Sequence, residues 1–173
     1  MDSFKHDLPT SGNGQKTHQQ CWLASFGMLY KYYKLSTNSI EEKLNGAGID
    51  VAIAKSDGML DTDYKKAATA LGLTALPVPP FKETSWTDFD VSSGAYKFLA
   101  ELQKGPLWCS RYISPGFYHA IVATGYNDSG RGYIIFNNPY PGPTNAFETT
   151  NVPATLFVRD LTNVRGSVMA YRT

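Results

Sequence analysis

The chain has 173 residues, 42% of them hydrophobic and 18% charged, with a formal net charge of +1. That is enough apolar material for one domain of ordinary size and too much for a disordered chain. Scattered Lys and Arg exclude an electrostatic footprint for nucleic acid, and no apolar run approaches the roughly 18 residues that a membrane span needs.

Residues 1–14 are polar, carry Pro9, Gly12 and Gly14, and are expected to form an irregular arm ahead of one domain over 15–173. Apolar side chains at 22, 23, 26, 29, 30 and 33 have the spacing of a helix from Trp22 to Lys34. A second helix is predicted over 39–45, with Ser39 and Glu42 as a capping-box pair and Gly46 as its stop. A third is predicted over 62–71 behind Asp61 as N-cap. Residues 75–92 hold three prolines and read as a loop; residues 94–104 read as a fourth helix, closed by Gly105-Pro106. Beyond it the period changes. Runs rich in Ile, Val, Tyr and Phe at 107–113, 119–127, 132–137, 155–160 and 167–171 predict strands, divided by turn clusters at 114–116, 127–130 and 138–143. Helices followed by an antiparallel sheet make an α+β domain with two lobes.

Two cysteines, Cys21 and Cys109, make no disulfide framework. Cys21 stands where the first predicted helix begins, and a helix N-terminus favours the thiolate. Cys109 lies inside the strand LWCSRYI and reads as a buried, inert thiol. An oxyanion formed beside Cys21 needs donors, and the amide of Gln15 with the backbone N–H of Cys21 can supply them. His6 and His18 fall in the polar N-terminal stretch and are expected to be solvated. His119 instead heads the apolar strand HAIVATGY, where a rigid scaffold holds a base in place. The run YIIFNNP ends the next strand with Asn137 and Asn138; they alternate faces, so one of them can fix the histidine's tautomer.

In this order, Gln15…Cys21-Trp22-Leu-Ala-Ser, Gly105-Pro106 before a strand, His119-Ala-Ile-Val-Ala-Thr-Gly-Tyr and Tyr133-Ile-Ile-Phe-Asn-Asn138-Pro resemble the papain-like cysteine peptidases. The likeness is to their compact bacterial branch, which includes secreted effector proteases and the peptidase domains of bacteriocin-processing transporters. The family pattern places glutamine six positions before the nucleophile, as Gln15 is before Cys21, and the orienting residue five after the strand's aromatic, which selects Asn138 over Asn137. The resemblance implies a two-lobed fold with Cys21 as nucleophile on the helical lobe. On the sheet lobe it implies His119 as general base and Asn138 as its orienter, with Gln15 at the oxyanion. The branch usually has Asp-Pro where this chain has Asn138-Pro139. The stretch KTHQQ before Cys21 lacks the small residues of plant and lysosomal members and leaves Gln19 and Gln20 as rivals to Gln15. Trp22 is expected to be structural, and Trp108 and Phe117 are candidates to face the cleft.

The implied activity is hydrolysis of peptide bonds in a protein or peptide substrate, with no metal or organic cofactor. The same acyl-enzyme chemistry supports glutamine deamidation or transglutamination, and an inactive binding module on the same scaffold is the reading from a different class. A peptidoglycan peptidase fits less well, because those enzymes use a second histidine and none follows His119. The N-terminus has no apolar signal region. The expectation is therefore a chain cytoplasmic in its producer or exported by a dedicated secretion system, as an effector or toxin with a cognate inhibitor or immunity protein.

Overall fold

A computed structural model describes residues 1–9, 14–82, 93–114, 117–140 and 148–172. Gly12, residues 83–92 of the expected loop, and parts of the expected turns at 115–116 and 141–143 lie outside them.

Helix α1 spans Cys21–Tyr32 behind a single 3-10 turn at His18–Gln20. Its sequence has no proline and no β-branched residue; Gly27 is the one local cost, about 1 kcal/mol against Ala, and burial of the apolar face outweighs it. It buries Trp22, Phe26, Met28, Leu29 and Tyr30 and ends before Lys34, which takes a left-handed φ of 56°. Three short helices follow: α2 over Ile40–Gly46, α3 over Val51–Asp57 and α4 over Tyr64–Ala70. Helix α3 was not expected from periodicity, since seven residues carry too little pattern. Its signal is local: the Asp50 carboxylate accepts the Ile53 N–H at 3.0 Å. The expected capping box at α2 does not form, because the Ser39 hydroxyl donates back to the Ser36 carbonyl at 3.2 Å. Asp61 opens a 3-10 turn over Asp61–Asp63 rather than capping α4. Helix α5 spans Ser93–Gln103, as expected, and buries Phe98, Leu99 and Leu102.

Seven strands form one antiparallel sheet among the described residues: β1 Phe4–Lys5, β2 Leu73–Ala75, β3 Leu107–Ser114, β4 Phe117–Asn127, β5 Tyr133–Asn138, β6 Glu148–Pro153 and β7 Val168–Tyr171. Their order is β2-β7-β3-β4-β5-β6, with β1 added to β4. One expected strand is corrected. Residues 154–159 form helix α6. Thr155, Phe157 and Val158 suggest a strand by composition, yet Ala154, Phe157 and Val158 are the buried ones, which is a helical spacing. Burial outweighs β propensity in so short a segment. The expected irregular arm is also partly ordered, since Phe4 and Lys5 pair with Tyr126 and Gly125. Gly125 makes this possible, because a Cβ there would collide with the Phe4 carbonyl.

The sheet is covered on both faces. Trp108, Ala120, Val122 and Met169 meet the α1–α4 side, where Phe26 stacks on Trp108 with ring centres 5.0 Å apart. Cys109, Ile121, Ala123 and Val168 meet α5 and α6 through Phe98 and Phe157. Burial on both faces is why β4 reads as a continuous apolar run instead of alternating.

Candidate active site

Cys21 is the first residue of α1 and is buried, at 8% exposure. Its Sγ accepts the backbone N–H of Ala120 at 3.4 Å, and the Ser25 hydroxyl, one turn further along α1, donates to the carbonyl of the same Ala120 at 3.0 Å. Both polar groups of the residue beside His119 are therefore held by the first turn of α1. Helix α1 is pinned in turn: the Trp22 indole N–H donates to the Ala54 carbonyl at 3.1 Å, and that of Trp108 to the Trp22 carbonyl at 3.3 Å. Trp22 is thus mainly structural, as expected, and Trp108 is a core residue that does not reach the cleft. Burial pushes the Cys21 thiol up from its ordinary value, while the N–H groups of Ala120, Trp22 and Cys21 itself pull it down.

His119 places Nε2 2.6 Å from the side-chain oxygen of Asn138. The tautomer follows from a second bond. The same Oδ1 accepts the backbone N–H of Tyr140 at 3.1 Å. A backbone N–H only donates, so the shared atom must be the amide oxygen, and His119 Nε2 must carry the proton. That leaves Nδ1 as the ring nitrogen able to accept one. Asn137 cannot serve in this way: it is buried, and its side-chain oxygen accepts the Thr149 hydroxyl at 3.2 Å. Burial holds the His119 imidazole below its ordinary pKa; the Asn138 bond opposes this, and the charge of Arg111 adds to it.

Gln15 is 1% exposed, and its backbone N–H donates to the Pro139 carbonyl at 2.7 Å. This bond ties the segment before α1 to the segment after Asn138. Its side-chain Oε1 is buried without a partner among the described residues. That orphan is an acceptor and offers nothing to an oxyanion; only the amide nitrogen of Gln15 can donate there.

Gln15, Cys21, His119 and Asn138 all line one cleft of about 820 Å³. Three bonds join their segments pairwise: Cys21 to Ala120, His119 to Asn138, and Gln15 to Pro139. Residues 58–61 and Tyr64 form the wall on the helical side, while Ile113, Phe117, Tyr118 and Tyr140 form the sheet side. Of the two candidates to face the cleft, Phe117 does so, with 69% exposure. Gln19 also lines it and is exposed, whereas Gln20 faces a separate groove behind α1.

His18 is exposed but stands on the cleft rim, its ring 5.5 Å from that of Tyr140. His6 departs from expectation. It is half-buried, with Nε2 donating to the Leu102 carbonyl at 2.8 Å and Nδ1 3.2 Å from the Tyr32 hydroxyl. Cys109 is fully buried outside the cleft and its pKa is driven far up by that burial; both cysteines are free. Among the described residues no three of His, Cys, Asp or Glu converge as metal ligands. Two contributors escape a reading of motif spacing. Ser25 is visible in CWLAS only as a residue one helical turn after Cys21, and Arg111 only once β3 and β4 are in register.

A comparison with curated proteins finds no match. Residues 2–152 match the model of a family described as papain-like cysteine protease AvrRpt2, a stretch that contains Gln15, Cys21, His119 and Asn138. The match covers most of the chain, and the α+β architecture with helices leading into an antiparallel sheet agrees with it. The chain therefore belongs to this family of papain-like cysteine proteases and is a cysteine peptidase.

Proposed function

We propose that the chain hydrolyses peptide bonds in protein substrates through Cys21, His119 and Asn138, with Gln15 at the oxyanion. The observation that carries this reading is the bond chain Tyr140 N–H to Asn138 Oδ1 to His119 Nε2–H, which leaves Nδ1 basic. Burial acts on both partners in one direction: it disfavours the Cys21 thiolate and disfavours the His119 imidazolium. Each direction holds for the group taken alone; the proton passes from Cys21 to His119 as attack begins, or the two already rest as thiolate and imidazolium.

In the forward step Nδ1 of His119 takes the thiol proton while Sγ bonds to the scissile carbonyl carbon. The carbonyl oxygen becomes an oxyanion, received by the Gln15 amide and the backbone N–H of Cys21. Collapse expels the amine, which takes the proton from His119, and leaves a thioester on Cys21. Water then adds to the thioester with His119 as base, giving the carboxylic acid and restoring the thiol. Asn138 keeps the ring in one tautomer and orientation throughout.

The rim suits an extended peptide: Leu60 on one wall and Ile113 and Phe117 on the other are apolar and at least 64% exposed. In its biological setting we place the peptidase as a bacterial effector or toxin, exported by a dedicated system and held in check in its producer by a cognate inhibitor. The family match over residues 2–152 supports that setting. The experiment is cleavage of a generic unfolded protein by wild type and Cys21→Ala. The variant is expected to fold, with an unchanged circular dichroism spectrum, and to lose cleavage. Cleavage at the wild-type rate rejects the mechanism. Intact-mass analysis of the substrate in the same assay separates chain scission from a deamidation of about one dalton.

A further inference from the structure

We propose that Asp57 and Asp61 make the cleft select peptides with a lysine or arginine beside the scissile bond, its aliphatic stem on Leu60 and its charge against the two carboxylates. This rests on the peptidase reading of the cleft.

The helical wall from Asp57 to Asp61 reads Asp-Gly-Met-Leu-Asp, and all five residues line the cleft. Asp57 ends α3, and Gly58 leaves the helix with a φ of 95°. Met59 is buried, while Leu60 is 66% exposed. An exposed leucine flanked by acids suits lysine and arginine, which lay an apolar stem on apolar surface and keep the charged head beyond it.

The charge of the cleft is one-sided. Among the described residues its lining holds these two carboxylates and no lysine or arginine. The cations close to them in sequence are engaged elsewhere: Lys66 pairs with Asp63 at 3.2 Å and Lys55 with Glu41 at 2.6 Å. Asp57 accepts the neutral Ser56 hydroxyl at 2.6 Å. Arg111 pairs with Asp160 and does not line the cleft. Cys21 and His119 share one proton and add no net charge between them. Asp61 suits the first turn of its 3-10 helix, but Asp57 sits at the C-terminal end of α3, where the dipole disfavours a carboxylate. Local stability therefore does not account for Asp57.

An independent observation points to the same kind of ligand. Gln15 lines this cleft, is 1% exposed, and its Oε1 has no partner among the described residues. The polar groups that the fold leaves for a ligand here are acceptors, and a peptide rich in N–H donors satisfies them.

The test starts from a bond that the enzyme cuts in an unfolded protein, located by mass spectrometry. Lysine, glutamine and glutamate are walked through the positions around that bond in synthetic peptides, and kcat/KM is compared. At low salt the wild type is expected to favour lysine over glutamate by on the order of tenfold at one position or more, a preference that shrinks as salt is raised to about 0.5 M. Asp57→Asn/Asp61→Asn should cut that ratio by about threefold or more. No preference for lysine at any position, or an equal preference in the folded double variant, overturns the proposal. A second readout needs no peptidase activity: the rates at which a cationic and an anionic methanethiosulfonate modify Cys21. The double variant should lower the cationic-to-anionic ratio by about threefold, by the same reasoning; an unchanged ratio overturns the proposal. Should the double variant not fold, Asp57→Asn alone, at an exposed position, takes its place in both assays. If no peptide is cut, the peptidase reading fails and the reagent ratio alone decides between the carboxylates' acting on the cleft and not.

Discussion

The side-chain amide of Asn138 does two jobs with one oxygen, and both are needed to fix a proton. Because Oδ1 accepts from Tyr140, it has to be the oxygen, and His119 has to donate to it. Asp at this position preserves the acceptor, whereas Leu removes it. Asn138→Asp is expected to keep kcat/KM within about tenfold of wild type, and Asn138→Leu to lose on the order of a hundredfold, chiefly in kcat. The pH profile carries a further sign. Protonation of His119 removes the base, and burial has lowered its pKa, so the acid limb of kcat/KM should fall below histidine's ordinary value of about 6.5. Steady-state kinetics of the variants from pH 5 to 9 check both expectations; an acid limb above 6.5, or equal losses in the Asp and Leu variants, contradict them.

Gln15, in an irregular stretch, and the choice of Asn138 over Asn137 rested on the family's spacing, whereas Cys21 at a helix start, His119 near a strand start and Asn138 at a strand end were legible as boundaries marked by their neighbours. Ser25 and Arg111 were not. What they do depends on which residue of β4 lies opposite them, and register across a sheet is not written in one strand.

At the level of elements, the joint between α1 and β4 governs the geometry. Cys21 and Ser25, one turn apart, grip the N–H and the carbonyl of Ala120. Ser25 is fully buried, so Ser25→Ala leaves the Ala120 carbonyl without its hydroxyl partner in a dry environment. The expected cost is about 1–3 kcal/mol of stability, read as a lower urea midpoint with an unchanged slope. It should be accompanied by a loss in kcat as the helix tip loosens against His119. A stability change without a kinetic one would show that the grip holds the fold and not the site.

The misread elements share a cause. Helices α3 and α6 are seven and six residues long, too short for a period to show, and were decided by an Asp50 cap and by burial against α5 and the sheet. The Ser39–Glu42 pair has the composition of a capping box, but a hydrogen bond from Ser39 to Ser36 takes the hydroxyl first. Strand β1 was invisible because two residues have no pattern; its place is set by Gly125, whose missing side chain leaves room for the Phe4 backbone.

For the molecule as a whole, one sheet serves two cores. One face binds α1–α4 and brings Cys21 to the sheet; the other binds α5 and α6 and braces the strands that carry His119 and Asn138. The change of period near residue 105 signalled two lobes correctly, but not that helices would also cover the far face. The bonds from Cys21 to Ala120 and from Gln15 to Pro139 then lock segments about a hundred residues apart in sequence into one cleft. A single measurement tests this most directly: iodoacetamide labelling of the folded protein, followed by peptide mass mapping and residual peptidase activity on the same samples. The account predicts one adduct, on Cys21, with activity falling in step with its formation and Cys109 protected until the chain unfolds. Full activity in protein completely alkylated at Cys21 would contradict it.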